Sequence, residues 1–407
     1  MMKRVITYGT FDLFHRGHRS ILERAKALGD YLIVGVTGES YDRERGKLNV
    51  RDSLPQRIEN VRRTGLADEI IVEEYLGQKL SDVIKYDVDA LAIGADWQGK
   101  FDYLRKYCEV VYLERTKDVS SSRLREDRAG LQRIGIITDR DSDGELEAEV
   151  NFVSGLEICG IMEGEPSDAF MEACDIVSVH VGYARRYESA KRAIEAGRPV
   201  IIDYPPGGRA KLADLYDLAE KKGIVMAPRI PLAYLRTFHQ LISMLRGGGI
   251  GNILSIECAS PTGESFRDTA ALAVFAATRI LGDGALNIRR VSLPGAVSYD
   301  RILLEYEGAA AGIAVSGCEW LEPGMTVLGT DGRAEIPDAW WNMSYFRLNT
   351  GATNGIKRYS SNAEGPGLRY LLSDLLLLIE EGRTDSGSFT KEEALRLTEI
   401  MEQGGLL

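Results

Sequence analysis

The chain has 407 residues, of which 44% are hydrophobic and 27% charged, and its formal net charge at pH 7 is −11. A chain of this length is expected to form two or three domains, and this composition excludes both a membrane span and extensive disorder. The negative charge argues against a nucleic-acid-binding surface, so anionic substrates would have to be captured by local cationic groups. The N-terminal residues lack the apolar segment of a secretory signal, so we expect a cytoplasmic protein.

The cysteines are odd in number and widely scattered, with no CxxC pair and no histidine at metal-binding spacing. We therefore expect reduced, structural cysteines and no protein-bound metal. They are Cys108, Cys159, Cys174, Cys258 and Cys318.

Residues 1–129 alternate short β-rich segments with helical patterns, from RVITYG and HRSILERAKALGD to FDYLRKY and EVVYLERT. This alternation predicts an α/β domain with a doubly wound, Rossmann-like parallel sheet. The charged segment SSSRLREDRAG is predicted to be a closing helix.

A second strand and helix series, from RIGIIT to IVMAPRI, predicts another Rossmann-like domain over residues 131–250. Residues 251–407 carry antiparallel signals instead, in NILSIECAS, RILLEYEGAAAGIAVSG and MTVLGTDGRAEIP. We expect hairpin strands there, the last hairpin turning at Asp331 and Gly332. With two helical patterns at the end, this region predicts an α+β domain with a largely antiparallel sheet.

The motif YGTFDLFHRGH, residues 8–18, follows the first predicted strand and opens the first helix. Ligands of open parallel sheets bind at this place, where free backbone N–H groups favour an anion. His15 and His18 are three positions apart on one helix face, Gly9 allows close approach of the backbone, and Thr10 offers a hydroxyl. Imidazoles near their ordinary pKa of about 6.5 can donate to phosphate oxygens. The motif predicts a polyphosphate site; the alternative is that both histidines are surface or helix-capping residues.

The segments VITYGTFDLFHRGH, GADWQGKFDYLRKYCEVVYLERT and VSSSRLRE resemble the glycerol-3-phosphate cytidylyltransferases of the HxGH nucleotidyltransferase superfamily. The resemblance covers residues 2 to about 127, and its narrowest motif, GADWQGKFD, favours glycerol 3-phosphate over choline or ethanolamine phosphate. It implies transfer of CMP from CTP to glycerol 3-phosphate or a similar polyol phosphate, giving CDP-glycerol and pyrophosphate. Mg²⁺ would act with CTP, and no residue is assigned to it.

The resemblance also implies roles for individual residues. Lys47 lies in a flexible region where the alignment slips by about one residue, and the serines could instead be an N-cap cluster, as Asp96 could be a turn residue. The implied catalytic residues are His15, His18, Lys47 and Arg115. The implied nucleotide-binding residues are Gly9, Thr10, Phe11, Asp12, Arg57, Gly94, Asp96, Thr116, Ser120 and Ser121.

From about residue 132 onward the chain remotely resembles the Gfo/Idh/MocA oxidoreductases, in segments such as RIGII, CDIVSVHV and RPVIIDYPP. The glycine-rich dinucleotide turn is replaced by GIITDRDSDG, whose aspartates would repel a phosphate. Tyr204 stands in place of the catalytic lysine, and Leu272 in place of the proton-relaying histidine. These departures argue against NAD(P) binding. His180 and His239 are expected to be satisfied strand and helix residues.

Three functions remain open. We favour a cytidylyltransferase with an oxidoreductase-like domain that has lost hydride transfer and serves oligomerisation, ligand sensing or partner docking. The second is a bifunctional cytidylyltransferase and NAD(P)-dependent polyol phosphate oxidoreductase, with Tyr204 as a general acid. The third is a scaffold or sensor without turnover. Resemblance to both families implies a homodimer or homotetramer.

Overall fold

The structure, a computed structural model, describes most of the chain and divides it into two compact units, Met1–Leu131 and Gln132–Leu407. Of Asp96 it describes the backbone alone. The described residues are 2–44, 47, 48, 50–114, 131–139, 143–153, 155–262, 265–282, 284–293, 295, 297–337, 339–351, 355–360 and 365–407.

The first unit is built on a parallel five-stranded sheet of order β3-β2-β1-β4-β5. Its strands are β1 (Arg4–Gly9), β2 (Tyr31–Thr37), β3 (Glu69–Glu73), β4 (Ala90–Gly94) and β5 (Glu109–Leu113). Its helices are α1 (Arg16–Lys26), α2 (Glu39–Glu44), α3 (Leu54–Arg62) and α4 (Gln78–Lys85), with 3₁₀ turns at Ala95–Trp97 and Asp102–Lys106. The second 3₁₀ turn replaces the helix predicted for FDYLRKY.

Both faces of this sheet are buried, because successive strand side chains enter opposite cores. Val5 packs with Leu22 and Val34 on one face, whereas Ile6 packs with Leu91 on the other. The strand order reverses between β1 and β4, so the carboxyl ends of these strands form the topological switch point at which such sheets bind ligands.

The second unit begins with another parallel sheet, of order β10-β9-β8-β6-β7. Its strands are β6 (Gln132–Thr138), β7 (Leu156–Glu163), β8 (Ile176–His180), β9 (Val200–Asp203) and β10 (Met226–Arg229). The accompanying helices are α5 (Gly144–Val150), α6 (Asp168–Ala173), α7 (Tyr183–Glu195), α8 (Arg209–Lys222) and α9 (Arg236–Arg246), with a 3₁₀ turn at Pro231–Tyr234.

An eight-stranded sheet of order β12-β13-β14-β11-β15-β16-β17-β18 completes this unit. Its strands are β11 (Ile253–Pro261), β12 (Asn287–Leu293), β13 (Tyr299–Tyr306), β14 (Ala309–Ser316), β15 (Gly324–Gly329), β16 (Gly332–Pro337), β17 (Tyr345–Thr350) and β18 (Ile356–Ser360). The remaining helical elements are α10 (Phe266–Leu281), α11 (Gly367–Glu381), α12 (Lys391–Gln403) and a 3₁₀ turn at Trp340–Asn342.

The predicted β13–β14 and β15–β16 hairpins are confirmed, although the second turns one residue earlier than predicted because Gly332 already belongs to β16. The strand β11 differs from the expectation of simple hairpins, since it pairs in parallel with β14 and antiparallel with β15. The predicted fold class, two Rossmann-like sheets and a largely antiparallel one, is confirmed. None of the helices in the described part of the chain is long and apolar enough to cross a membrane.

Candidate active site

The turn after β1 is held in a conformation that few side-chain-bearing residues adopt. Phe11 and Leu13 have φ angles of 55° and 46°, in the left-handed region that costs free energy for residues other than glycine. Carboxylates maintain this turn: Asp12 Oδ1 accepts the N–H groups of Arg51 and Asp52, each at 2.9 Å. In return, Asp52 Oδ2 accepts the N–H of Leu13 at 3.0 Å. The turn and the segment before α3 therefore fix one another.

The two histidines form the N-terminus of α1 and are oriented by its backbone. His15 is the N-cap residue, and its Nδ1 accepts the N–H of Gly17 at 3.0 Å. His18 Nδ1 accepts the N–H of His15 at 3.4 Å, and the two rings stack with centroids 3.9 Å apart. Because each Nδ1 is an acceptor, the proton of each neutral ring lies on Nε2, which makes both Nε2–H groups donors. The capping alternative and the phosphate-site interpretation thus apply to the same pair.

The environment of His18 changes its titration. Burial, together with the nearby His15 and Lys47, lowers the pKa of His18 to about 3. The sequence-based expectation of two imidazoles near their ordinary pKa is therefore wrong for His18, which is neutral at pH 7. This site disfavours a further positive charge, whereas an incoming phosphate would relieve the repulsion.

Two further side chains, Lys47 and Asp42, are linked through the hydroxyl of Thr10. Lys47 Nζ donates to Thr10 Oγ1 at 2.7 Å, and Thr10 Oγ1 donates to Asp42 Oδ1 at 3.2 Å. Since Lys47 also affects the titration of His18, the structure brings Thr10, Lys47 and the two histidines together at the carboxyl end of β1. Asp42 has no motif around it, and sequence reasoning missed it.

Arg57 lies beneath this cluster. Its side chain is 0% exposed, and its guanidinium donates to the carbonyl oxygens of Thr10 at 2.9 Å, Thr37 at 2.7 Å and Asp52 at 3.0 Å. It also lies 3.5 Å from Asp42 Oδ2. In this structure Arg57 positions the backbone around the site, because its side chain is fully buried, and the prediction that it binds nucleotide directly stays a prediction.

The other predicted nucleotide-binding residues occupy different positions. Phe11 and Asp12 are each 2% exposed, so only their backbone can face a ligand. Gly9 has no room for a side chain, because a Cβ would lie 3.0 Å from the Phe11 ring. Gly94 ends β4 beside the switch point. The side chain of Asp96, and all of Arg115, Thr116, Ser120, Ser121 and the predicted helix after them, lie outside the described residues.

Sequence reasoning also missed a buried cation at the same edge of the sheet. Lys79 forms a buried ion pair with Glu73, the last residue of β3, and its Nζ lies 4.4 Å from the centre of the Tyr8 ring. The Tyr8 hydroxyl donates to Asp82 at 2.9 Å, and burial raises the pKa of Tyr8. Only the position of Glu73 at a strand end could have indicated this cluster.

A cavity of about 510 Å³ lies in the second unit, at the carboxyl edge of its parallel sheet. Three of its lining residues, His180, Asp203 and Arg229, end the strands β8, β9 and β10. Trp341 and Asn342 line it, whereas the neighbouring Trp340 is buried and donates from Nε1 to the Ala259 carbonyl at 3.1 Å.

The charged residues of this cavity form one network. His180 Nδ1 lies 2.7 Å from Asp203 Oδ2, and Arg229 Nη1 lies 3.8 Å from Asp203 Oδ1. The hydrogen bond to Asp203 raises the pKa of His180. His180 thus ends a strand with its ring paired to Asp203, as expected, and it also lines the cavity. His239 is confirmed as a satisfied helix residue, with Nε2 2.7 Å from the Ala233 carbonyl oxygen.

Two carboxylates accept backbone N–H groups at the N-termini of helices of this unit. Asp143 caps α5 by accepting the N–H of Leu146 at 3.2 Å, and it is paired with Arg229. Asp139 accepts the N–H of Gly182 at 2.7 Å, ahead of α7. The argument from repulsion needs correction, because these two carboxylates are ion-paired, Asp143 with Arg229 and Asp139 with Arg185, while Asp141 lies outside the described residues.

The hydroxyl of Tyr204 is hydrogen-bonded inside the second unit. It donates to the Ala394 carbonyl at 2.7 Å and lies 2.5 Å from Thr398 Oγ1, both on α12. The side chain is 2% exposed, and burial raises its pKa. The engagement of its one hydroxyl proton with α12 argues against the general-acid alternative for Tyr204.

Comparisons with known proteins agree with this division. A family described as cytidylyltransferase-like matches residues 6–127. The glycerol-3-phosphate cytidylyltransferase of Bacillus spizizenii is 48% identical over 130 residues, which are 32% of this chain and 100% of that protein. The enzyme of the same name from Bacillus subtilis is 45% identical over 132 residues, again 32% of this chain and 100% of that protein.

The structural comparison concerns the rest of the chain. A 3-ketoreductase from Actinomadura kijaniata, solved with NADP and TDP-benzene, superposes with a TM-score of 0.60 and 16% identity. The superposition covers 68% of this chain and 97% of the ketoreductase chain, and at this identity it shows the fold alone. The second unit thus has the fold of the Gfo/Idh/MocA-type oxidoreductases. Through its N-terminal unit, the chain belongs to the glycerol-3-phosphate cytidylyltransferase family of nucleotidyltransferases.

Proposed function

We propose that the N-terminal unit transfers CMP from CTP to glycerol 3-phosphate, forming CDP-glycerol and pyrophosphate. The observation that carries this proposal is the 48% identity to the full length of a protein named glycerol-3-phosphate cytidylyltransferase. The arrangement of His15, His18, Lys47 and Thr10 at the carboxyl end of β1 supports it, because the reaction needs donors and a cation around one polyphosphate.

The chain's own residues supply positioning and charge stabilisation. A phosphate oxygen of glycerol 3-phosphate attacks the α-phosphorus of CTP, the bond from that phosphorus to the β-phosphate bridging oxygen breaks, and pyrophosphate leaves. The Nε2–H groups of His15 and His18 donate to the oxygens on which charge develops, and Lys47 neutralises part of the triphosphate. Preorganised Nε2–H donors suit this role, since no proton has to be abstracted from a phosphate acceptor that is already anionic.

The metal requirement is also a proposal. Within the described residues, no group of three or more His, Cys, Asp or Glu side chains could hold a metal ion. The nearby carboxylates are already used, Asp12 by backbone N–H groups and Asp42 by Thr10 and Arg57. We propose that Mg²⁺ enters with the phosphates of CTP, where it would neutralise charge, rather than residing in the protein.

Phosphorus NMR on the full-length chain tests the reaction. With CTP, Mg²⁺ and glycerol 3-phosphate, we expect the resonances of CDP-glycerol and pyrophosphate to grow in equal amounts while those of CTP decline. Without glycerol 3-phosphate, CTP should persist. Loss of CTP at the same rate without the acceptor would show hydrolysis instead and would refute the transfer.

For the second unit, we propose a domain that neither binds NAD(P) nor transfers hydride. The support is the pairing of Asp139 and Asp143 with backbone N–H groups at helix N-termini and the engagement of the Tyr204 hydroxyl with α12. A fluorescence titration with NADH and NADPH tests it, and we expect no saturable change. Saturable binding would favour the bifunctional alternative, in which His180 and Asp203 would remain as an acid–base pair.

We further propose that the second unit serves oligomerisation, ligand sensing or partner docking, in a homodimer or homotetramer. The cavity lined by His180, Asp203 and Arg229 supports a ligand-sensing role, since it is large enough for a small molecule. Light scattering on the purified chain measures the oligomer, and a monomer at all concentrations would contradict this part of the proposal.

A further inference from the structure

Two cysteines of the second unit lie in direct contact. Cys159 Sγ is 3.4 Å from Cys174 Sγ, although the residues come from different elements, β7 and the C-cap of α6. Both are free thiols. Cys159 is exposed, whereas Cys174 is buried and donates to the Phe170 carbonyl at 3.0 Å. One sulfur of the pair is therefore open to solvent, and the other is enclosed.

A β-bulge brings the two sulfurs together. Between β6 and β7 the register runs from Ile134–Ile158 directly to Gly135–Gly160, so Cys159 is the extra residue of β7. A bulge bends its strand and redirects the side chain of its extra residue. On the facing strand, a Cβ at Gly135 would lie 2.2 Å from Cys174 Sγ. Gly135 thus provides the space that Cys174 occupies.

The surroundings give the two thiols different reactivity. Burial raises the pKa of Cys174 to about 12, and the hydrogen bond with Cys159 contributes to this rise. Cys174 is therefore protected from direct attack by an oxidant, since the thiolate is the reactive form. Arg198, whose Nε is buried without a hydrogen-bond partner, lies near Cys174 and favours negative charge there. The exposed Cys159 is the sulfur that an oxidant can reach.

We propose that Cys159 and Cys174 form a reversible redox modification site whose oxidant is a hydroperoxide. The Cys159 thiolate attacks the O–O bond and becomes a sulfenic acid, releasing the hydroperoxide's other oxygen as water or an alcohol after protonation. Cys174 then attacks the Cys159 sulfur, forming the disulfide and releasing water. Two electrons pass from the two sulfurs to the peroxide, and a dithiol reductant reverses the change.

The geometry permits this bond with little movement. A disulfide requires an S–S distance of about 2.05 Å, so the sulfurs must approach by roughly 1.4 Å. Rotation of the Cys159 side chain on the bulge can supply this approach. The crosslink would join residues 15 positions apart, and a ring of that size should raise the melting temperature of the second unit by about 5 °C. This inference is independent of the proposed nucleotidyl transfer.

Peptide mapping of the full-length chain after treatment with hydrogen peroxide tests the proposal. We expect a Cys159–Cys174 crosslinked peptide that dithiothreitol removes, while Cys258, which is buried and distant, remains alkylatable after unfolding. Cys318→Ser is the matched control and should retain the crosslink. Cys174→Ser should instead accumulate sulfinic acid at Cys159, because no second thiol captures the sulfenic acid.

Two results would overturn the proposal. One is a wild-type chain in which Cys159 advances to sulfinic acid at the same rate as in Cys174→Ser, with Cys174 still free. The other is a peroxide-induced disulfide that joins either cysteine to Cys108, Cys258 or Cys318 rather than to its neighbour.

Discussion

The backbone N–H of His15 donates to Nδ1 of His18 at 3.4 Å, while Nδ1 of His15 accepts the N–H of Gly17 in the first turn of the same helix. Each imidazole therefore helps to cap the N-terminus of α1 and, at the same time, has its Nε2–H fixed as a donor. This relationship separates two roles of His18: an acceptor within the helix and a donor toward a ligand. A substitution can remove one role and retain the other.

His18→Asn is the variant that makes this separation. The asparagine Oδ1 can still accept the His15 N–H, but no donor remains at the position of Nε2. We expect pyrophosphate release to fall by about 10²–10³-fold, the cost of removing one preorganised donor, with an unchanged circular dichroism spectrum. The matched control is His180→Asn in the second unit, for which we expect wild-type turnover. Wild-type turnover of His18→Asn would remove His18 from the mechanism.

Lys47 should contribute through its charge. Its Nζ donates to Thr10 Oγ1 at 2.7 Å, at the place where the triphosphate is expected. Lys47→Met would therefore leave part of the negative charge of the triphosphate unneutralised. We expect kcat/KM for CTP to fall by about 10²-fold, and Lys47→Arg to recover part of the loss. Steady-state kinetics with varied CTP provide the measurement, and equal values for Met and Arg would show that the charge is not required.

Arg57 should be a residue of stability and positioning. Removing its guanidinium in Arg57→Met takes away the buried positive charge beside Asp42 and the donor to three carbonyl oxygens, so we expect the first unit to lose about 3–5 kcal/mol of unfolding free energy. Urea unfolding monitored in the full chain measures this loss.

The double variant Arg57→Met, Asp42→Asn provides the control for the charge. It also removes the buried negative charge that Arg57 balances, and we expect it to be more stable than Arg57→Met alone. If Arg57→Met were as stable as the wild type while binding CTP more weakly, Arg57 would be a direct ligand after all.

The two units should differ in the titration of their histidines. Burial lowers the pKa of His18 to about 3, whereas the hydrogen bond to Asp203 raises that of His180 above its ordinary value of about 6.5. Nitrogen NMR of histidine-labelled protein should therefore show His180 protonating first as the pH falls, with His18 still neutral at pH 5. Histidine-to-asparagine variants assign the signals, and the reverse order would contradict both environments.

These shifts also determine how each histidine affects stability. Between pH 6.5 and about 3, the unfolded chain protonates His18 and the native one does not, so stability from His18 is lost as the pH falls through this range. His180 behaves oppositely: its contribution is fully present below about pH 6.5 and is lost as the pH rises through its raised pKa.

Much of the fold could be predicted from the sequence, because strand and helix alternation is local. The sequence indicated both parallel sheets and the β13–β14 and β15–β16 hairpins, whose strands are neighbours in the chain. The parallel pairing of β11 with β14 could not be predicted, since α10, β12 and β13 intervene between those strands.

The candidate site was predictable where a motif marks it and not where burial decides the role. His15, His18 and Thr10 lie in one short motif, and the structure brings them together. Arg57 has the charge of a phosphate ligand, but its 0% exposure depends on three distant carbonyl groups. His180 meets Asp203 because β8 and β9 are adjacent parallel strands; both residues end predicted strands, a signal that the sequence analysis did not use.

The central claim is transfer of CMP to glycerol 3-phosphate, and the most direct measurement is pyrophosphate release with a panel of acceptors. The full-length chain would be given CTP and Mg²⁺ with glycerol 3-phosphate, ribitol 5-phosphate, erythritol 4-phosphate or phosphoethanolamine. We expect rapid release with glycerol 3-phosphate and a product with the mass of CDP-glycerol. Preferred turnover of another acceptor, or no turnover with any of them, would contradict the account.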